Sequence, residues 1–262
     1  MSAILELQGV SMSFGGLKAV DNLSFTVNEN DIVSVIGPNG SGKTTTFNII
    51  SGLYEPDSGD ILLKGESVAG LRPDVVHDKG ISRTFQSLRL FSNMSVLDNV
   101  LVGMHSVTDA GLVSSMLRLP KMRREEQLMR ERAQEILEMF PGRFSGPRQQ
   151  QPAFSLSYAN RRRLEIARAL ASAPTLLMLD EPVAGMNPME SHEVMEQIKV
   201  LRDKGYTIVM IEHDMHVVEG VSDRVIAMDH GVKIAEGTYH EVANDPQVVE
   251  AYLGKRAAEA TA

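Results

Sequence analysis

Short apolar runs punctuated by Gly and Asp recur along the chain, and they predict β-strands. The runs are AILEL (3–7), DIVSVIG (31–37), GDILLKG (59–65), TLLMLD (175–180), TIVMIE (207–212) and DRVIAMD (223–229). Several runs are apolar on both faces, which favours a parallel sheet covered by helices. Helical patterns at 42–52 and 188–205 supply crossover helices. The pattern therefore predicts an α/β fold.

Between 87 and 160 the strand pattern stops and helical patterns take over, such as SVLDNVLVGM and RREEQLMRERAQEILEMF. The segment 141–154 is rich in Pro, Gly and Gln and predicts a connecting loop. We interpret this region as an inserted helical subdomain. The predicted organisation is a catalytic core at 1–86 and 161–240, a helical subdomain at 87–160, and a C-terminal helix and tail at 241–262.

Composition limits the classes of function. The chain has 262 residues and 43% hydrophobic content, so it can form a sizeable core. Its net charge of −8 argues against nucleic acid as a partner. The absence of cysteine excludes disulfides and thiolate metal sites, and no apolar run reaches the roughly 18 to 20 residues of a membrane helix. Any membrane role is therefore expected to come through a partner.

The stretch GPNGSGKTT matches the P-loop pattern, in which glycines let backbone N–H groups surround a phosphate. Lys43 would bring its positive charge to the β- and γ-phosphates, and the Thr44 hydroxyl would reach Mg²⁺. An apolar strand precedes the loop and a helical pattern follows it, which argues against a chance glycine-rich turn. The predicted phosphate-binding residues are Gly37, Pro38, Asn39, Gly40, Ser41, Gly42, Lys43, Thr44 and Thr45.

Four polar side chains follow predicted strands, and the carboxyl ends of parallel strands are where ligands bind in open α/β sheets. Asp180 would hold Mg²⁺, and Glu181 would polarise the water that attacks the γ-phosphate. Gln86 ends the run ISRTFQ, where it would ligate Mg²⁺ or water, and His213 would contact phosphate oxygens. Taken singly, a Gln or His at a strand end is more often a capped or solvated residue.

The stretch SLSYANRRRLEIARAL predicts a helix whose cap is Ser157 and whose first turn carries three arginines. Positive charge is unfavourable at this end of a helix, so the pattern suits an anion. For Arg162 and Arg163, however, we expect a solvated helix face.

The order of these motifs resembles that of ABC transporter ATP-binding subunits over almost the whole chain. The motifs are an aromatic in SFGG (Phe14), the P-loop, Gln86, the signature-like LSYAN, LLMLDEP, AGMN and His213. The resemblance implies an α/β P-loop NTPase (RecA-like) with a mostly parallel sheet, an N-terminal antiparallel β-subdomain and an inserted helical subdomain. It also implies that Phe14 stacks on adenine, that Gln86 links the catalytic site to a transmembrane partner, and that His213 is the switch histidine.

In this family two subunits pack head to tail around two ATP molecules, each with Mg²⁺. By resemblance, Ser157 and backbone N–H groups near Ala159 complete the partner's ATP site. Stretches such as ISRTFQSLRLFSNMSVLDNVLVG and LMLDEPVAGMNPME are most similar to LivG-type ATPase subunits, which serve importers of branched-chain amino acids and related small polar solutes. That likeness implies permease partners that dock around 88–100, a second ATPase subunit (the same chain or a paralogue) and, indirectly, a solute-binding protein. It places the chain at the cytoplasmic face of the inner membrane, bound through a permease.

Three alternatives stay open at this point. A lipid or lipopolysaccharide exporter uses the same kind of cassette. A soluble ABC ATPase of DNA repair or translation needs a long coiled coil or a second cassette, and neither pattern is present. LivG-type signatures usually have Gly where this chain has Ala159. A nucleotide-gated module without turnover would fit this altered signature, but it conflicts with the intact Glu181 and His213.

Overall fold

The computed structural model describes residues 2–104 and 120–253, and it begins with an antiparallel sheet. This sheet has four strands in the order β2-β1-β4-β5. The strands are β1 (Ala3–Phe14), β2 (Leu17–Asn28), β4 (Ser58–Leu63) and β5 (Glu66–Ser67). Buried and exposed positions alternate along β2, as expected of a strand with one face on the core.

A second sheet has six strands, in the order β10-β9-β3-β8-β7-β6. Its strands are β3 (Ile32–Ile36), β6 (Ile81–Arg83), β7 (Leu176–Asp180), β8 (Thr207–Ile211), β9 (Arg224–Asp229) and β10 (Val232–Gly237). All neighbours pair in parallel except β10, which is antiparallel to β9. Every residue of β3, β7 and β8 is buried, as a doubly covered parallel sheet requires.

Helices connect and cover these strands. They are α1 (Lys43–Ile50), α2 (Pro73–Asp78), α3 (Val96–Gly103), α4 (Pro120–Glu138), α5 (Tyr158–Leu170), α6 (Pro188–Asp203), α7 (Met215–Val221), α8 (Tyr239–Ala243) and α9 (Pro246–Leu253). Short 3₁₀ turns at Gly146–Gln150 and Ala153–Ser155 lie between α4 and α5. None of the described helices is long and apolar enough to span a bilayer.

Alternate residues of the parallel strands face two different cores. Leu177 and Leu179 of β7 pack with residues of α3, α4, α5, α6 and α7. Leu176 and Met178 of the same strand pack with α1 and the antiparallel sheet. The parallel sheet thus lies between a helical layer and a layer made of α1 and the first sheet, and its loops open at the ends of β3, β6, β7 and β8.

The six predicted strands and the main helices are present, so the predicted fold class is confirmed. Strands β2 and β10, in which polar residues interrupt the apolar ones, and the two-residue β5 were not predicted. The domain boundaries stay a prediction. In the described parts of 87–160 no strand is assigned, and α5 runs across the boundary predicted between 160 and 161. The predicted tail from 254 onward lies outside the described residues.

Candidate active site

The P-loop connects the end of β3 to the start of α1, and its glycines are required by its geometry. Gly37 has a φ of 149°, and a Cβ there would lie 2.1 Å from the carbonyl oxygen of Met228. Gly42 has a φ of 101°, and a Cβ there would lie 2.4 Å from the carbonyl oxygen of Ala19. The loop is therefore pressed between β9 and β2, so side chains at these two positions would displace it.

Lys43 is the first residue of α1, and its ammonium group turns back over the loop. Its Nζ donates to the carbonyl oxygens of Gly37 (2.6 Å) and Pro38 (2.9 Å). Burial lowers the pKa of Lys43, while the carboxylates of Glu181 and Asp180 act in the opposite direction. The lysine charge is therefore held close to the two acidic residues at the end of β7.

One open cleft of about 740 Å³ brings most predicted nucleotide-binding residues together. Its lining consists of Phe14, Gly16, Leu17, Lys18, Ala19, Asn39, Gly40, Ser41, Gly42, Lys43, Thr44, Thr45, Gln86, Glu181, Ile211 and His230. Phe14 is 45% exposed and meets Tyr54 edge to face, with ring centroids 5.4 Å apart. Lys18 and His230 were not predicted, because only the tertiary fold brings β2 and the turn between β9 and β10 to the P-loop.

Gln86 and Glu181, which line this cleft, meet His213, as the shared strand-end edge predicts. The amide Nε2 of Gln86 donates to Oε2 of Glu181 at 3.2 Å. The imidazole Nδ1 of His213 lies 3.6 Å from Oε1 of the same carboxylate, and the His213 side chain is 63% exposed. Glu181 has a φ of 48°, an uncommon backbone state for a residue other than glycine. Such strain is typical of functional sites.

Asp180 is buried and paired with an arginine that the sequence analysis did not single out. Arg83 of β6 donates from Nη2 to Oδ2 of Asp180 at 2.9 Å. Its Nη1 donates to Asn48 (2.7 Å) and Ser51 (3.0 Å), on α1 and at its C-terminal end. A charged residue inside the apolar run ISRTFQ was the available indication of this pair.

Glu212 is a second acidic residue that the sequence analysis did not assign. It is fully buried, and its carboxylate accepts hydrogen bonds from the backbone N–H groups of Val183 and His213, both at 3.2 Å. Burial raises the pKa of Glu212. The side chain therefore connects the turn after Glu181 to the segment that presents His213.

The residues at the start of α5 are not part of the lining of this cleft. Ser157 is exposed, and its Oγ accepts the backbone N–H of Asn160 at 3.4 Å. Ala159 is only 2% exposed, so its methyl group packs inside the protein. Of the predicted signature residues, Ser157 therefore presents its side chain to solvent and Ala159 does not.

The prediction that Arg162 and Arg163 form a solvated helix face is wrong. Their exposures are 0% and 1%, because α5 turns both side chains into the protein and each meets a carboxylate, Glu165 at 2.8 Å and Glu193 at 2.7 Å. Arg161 instead donates to the carbonyl oxygens of Leu156 and Phe154 just before the helix. The three guanidinium groups thus have partners within the chain, and an anion at this helix end would meet Ser157 and backbone N–H groups.

Comparisons with known proteins agree with this geometry. A family model described as ABC transporter matches residues 20–184, and one described as branched-chain amino acid ATP-binding cassette transporter matches residues 232–258. The chain is 44% identical over 253 residues to the high-affinity branched-chain amino acid transport ATP-binding protein LivG of Salmonella typhimurium, covering 96% of this chain and 98% of LivG.

Solved structures give the same result. The crystal structure of the ADP conformation of MJ1267, an ATP-binding cassette of an ABC transporter, has a TM-score of 0.84 and 34% identity, covering 97% of this chain and 100% of that one. The dimeric structure of MJ0796, a bacterial ABC transporter cassette, has a TM-score of 0.74 and 25% identity, covering 90% and 98%.

Proposed function

This chain belongs to the ABC transporter family, and we propose that it is the ATP-binding and ATP-hydrolysing subunit of a membrane importer for branched-chain amino acids or a related small polar solute. The observation that carries the ATPase assignment is the single cleft that joins the P-loop to Gln86 and Glu181. The solute class is supported by the likeness to LivG and by the second family model at residues 232–258.

Two parts of the cleft lining suit a nucleotide. Phe14 offers an exposed aromatic face, which suits an adenine ring. The P-loop from Gly37 to Thr45 presents backbone N–H groups at the start of α1, where the helix dipole favours phosphate. Lys43 adds a full positive charge, which we expect to turn from the loop carbonyls to the β- and γ-phosphates.

The donor atoms near the P-loop fit Mg²⁺. Thr44 contributes a hydroxyl, Gln86 an amide oxygen and Asp180 a carboxylate, all of them hard oxygen donors of the kind that this ion prefers. We assign these three residues as its holders. The bound ion would neutralise charge on the phosphates. Arg83 meanwhile holds one oxygen of Asp180, Oδ2, through a hydrogen bond.

For hydrolysis, we assign Glu181 as the general base that takes a proton from the attacking water. Gln86 holds one oxygen of this carboxylate and His213 lies near the other, so both orient it. His213 is also exposed enough to contact the γ-phosphate. Acid–base assistance of this kind typically contributes about 10²- to 10⁴-fold to the rate.

The exposed start of α5 suits a second subunit. Ser157 and the N–H groups near Ala159 are available at a helix N-terminus, and we assign them to the γ-phosphate held by a partner ATPase, either a second copy of this chain or a paralogue. The dimeric MJ0796 cassette supports this arrangement. One chain alone is therefore expected to hydrolyse ATP poorly.

The permease contact is assigned to the surface around residues 88–100, which follows Gln86. Phe91 in this segment is an exposed aromatic, as suits a docking surface. Through this contact the chain would lie at the cytoplasmic face of the membrane, and a solute-binding protein would act on it only indirectly.

The test is the molar mass of purified Glu181→Gln by light scattering, with and without Mg-ATP. A shift from monomer to dimer is expected only in the presence of Mg-ATP, because the variant should bind ATP and dimerise but not hydrolyse the ATP. Absence of ATP binding would contradict the proposal. The importer assignment is tested separately: in the permease complex, a branched-chain amino acid with its binding protein should stimulate ATP hydrolysis, whereas stimulation by lipid would reassign the chain to an exporter.

A further inference from the structure

Arg162 joins the signature helix α5 to two strand ends of the catalytic core. Its guanidinium donates to the carbonyl oxygens of Phe85 and Gln86 (3.0 Å for Gln86), just after β6. Its Nη2, which makes the bond to Gln86, also donates to the carbonyl oxygens of Asp180 (3.4 Å) and Glu181 (3.2 Å), at the end of β7. One buried side chain therefore holds the backbone of both acidic residues and of Gln86.

The charge of Arg162 is balanced within the same helix. Glu165, itself 1% exposed, accepts from Nη1 at 2.8 Å, and its other oxygen accepts the backbone N–H of Arg89 at 3.3 Å. The pair thus also grips the segment beyond Gln86. Because the guanidinium is planar and rigid, its donors keep fixed directions, so the backbone groups around it keep a fixed spacing.

This position has a mechanical consequence for the pair Gln86–Glu181. Their side chains are in contact at 3.2 Å, and both of their backbone carbonyls bind the same guanidinium. Arg162 lies about one and a half turns along α5 from Ser157, within the same continuous helix. A shift of the α5 N-terminus would therefore be transmitted to the spacing of the pair.

We propose that Arg162 is a positioning residue that sets the Gln86–Glu181 geometry from α5, so that engagement of Ser157 by the partner's γ-phosphate organises the hydrolytic site of its own chain. The inference rests on the proposed function, because it presumes ATP hydrolysis at Glu181. The competing explanation is that Arg162 only packs α5 against the sheet.

A double-mutant cycle separates these explanations. The variant Arg162→Gln/Glu165→Gln removes the guanidinium and its carboxylate together, so neither of the two is left buried and charged without the other. The matched control is Arg163→Gln/Glu193→Gln. Arg163 is an equally buried arginine on the same helix, but its guanidinium donates hydrogen bonds to Asn160, Glu190 and Glu193 and not to Gln86 or Glu181. Gln86→Ala is then added to the unsubstituted chain and to both variants.

In the unsubstituted chain and in the control, Gln86→Ala is expected to lower kcat about tenfold, within the range for residues that assist proton transfer. In Arg162→Gln/Glu165→Gln, which itself lowers kcat while the Kd for ATP changes less than about threefold, the same substitution is expected to cost less than about twofold. An equal loss in all three backgrounds would overturn the inference, as would a variant with unchanged kcat.

Arg162→Lys serves if the double variant does not fold. Lysine keeps a charge for Glu165, but its single ammonium cannot span both pairs of carbonyl oxygens. The inference is supported if Arg162→Lys lowers kcat and if adding Gln86→Ala to it costs less than about twofold. It is overturned if Arg162→Lys has the same kcat as the unsubstituted chain. A chain that neither binds nor hydrolyses ATP would instead refute the proposed function, so the two failures are distinguishable.

Discussion

Arg83 and Asp180 form a buried ion pair, with Nη2 of the arginine 2.9 Å from Oδ2 of the aspartate. The same guanidinium binds Asn48 and Ser51, so the carboxylate that we assign to Mg²⁺ is tied to the helix that follows the P-loop. The pair therefore connects three parts of the site: β6, β7 and α1.

Arg83→Met is expected to lower the free energy of unfolding by about 3–5 kcal/mol, because it leaves the Asp180 carboxylate buried without its partner. Urea unfolding without nucleotide measures this loss. Arg72→Met is the control, since the Arg72–Asp74 pair is exposed and should contribute little. Similar unfolding midpoints for the two variants would refute the structural role of the Arg83–Asp180 pair.

Two glycines of the P-loop should respond differently to alanine. At Gly37 a new Cβ would meet the Met228 carbonyl oxygen at 2.1 Å, so Gly37→Ala should cost more than about 2 kcal/mol and weaken ATP binding. At Gly40 a Cβ meets no heavy atom within 4 Å, and the φ of 83° alone should cost about 1–2 kcal/mol. Urea unfolding and ATP titration of both variants check this order. A Gly40→Ala variant that is less stable than Gly37→Ala would contradict it.

Ala159→Gly is expected to reduce the free energy of unfolding by about 1 kcal/mol, because a buried methyl group is lost and helix propensity falls. Turnover of ATP per folded chain should not fall, since the methyl group packs inside the protein and is not presented to the phosphate side. Thermal unfolding and steady-state ATPase assays measure the two effects. A large loss of turnover would show instead that the methyl group is fitted to the site.

Glu212→Gln should alter how stability depends on pH. Burial raises the pKa of Glu212 in the folded state, so between the ordinary glutamate pKa and this raised value the folded state binds more protons than the unfolded state. The free energy of unfolding contributed by this group therefore falls as the pH rises through that window.

Denaturant unfolding of the unsubstituted chain and of Glu212→Gln over a pH series provides the measurement. The stability difference between them, unsubstituted chain minus variant, should decrease with rising pH, by about 1.4 kcal/mol for each unit of pKa shift. A difference that is constant with pH would contradict the assignment. Glu219→Gln serves as the control, because that carboxylate is partly exposed to solvent.

The sequence by itself determined the features that depend on local rules. A P-loop needs glycines at particular positions of a strand–loop–helix unit, and the observed positive φ values of Gly37, Gly40 and Gly42 follow from that need. Parallel strands place their carboxyl ends along one edge, so the meeting of Gln86, Glu181 and His213 could also be predicted from strand ends alone.

Only the tertiary structure decided the surroundings of these residues. Consecutive residues of a helix point about 100° apart, so the direction of Arg161, Arg162 and Arg163 depends on how α5 packs. Charged side chains are normally expected outside, yet Arg162 is buried because carbonyl oxygens from two strand ends, distant in sequence, converge on it with Glu165. The Arg83–Asp180 pair is another such case, because its partners are 97 residues apart in the chain and meet only when β6 pairs with β7.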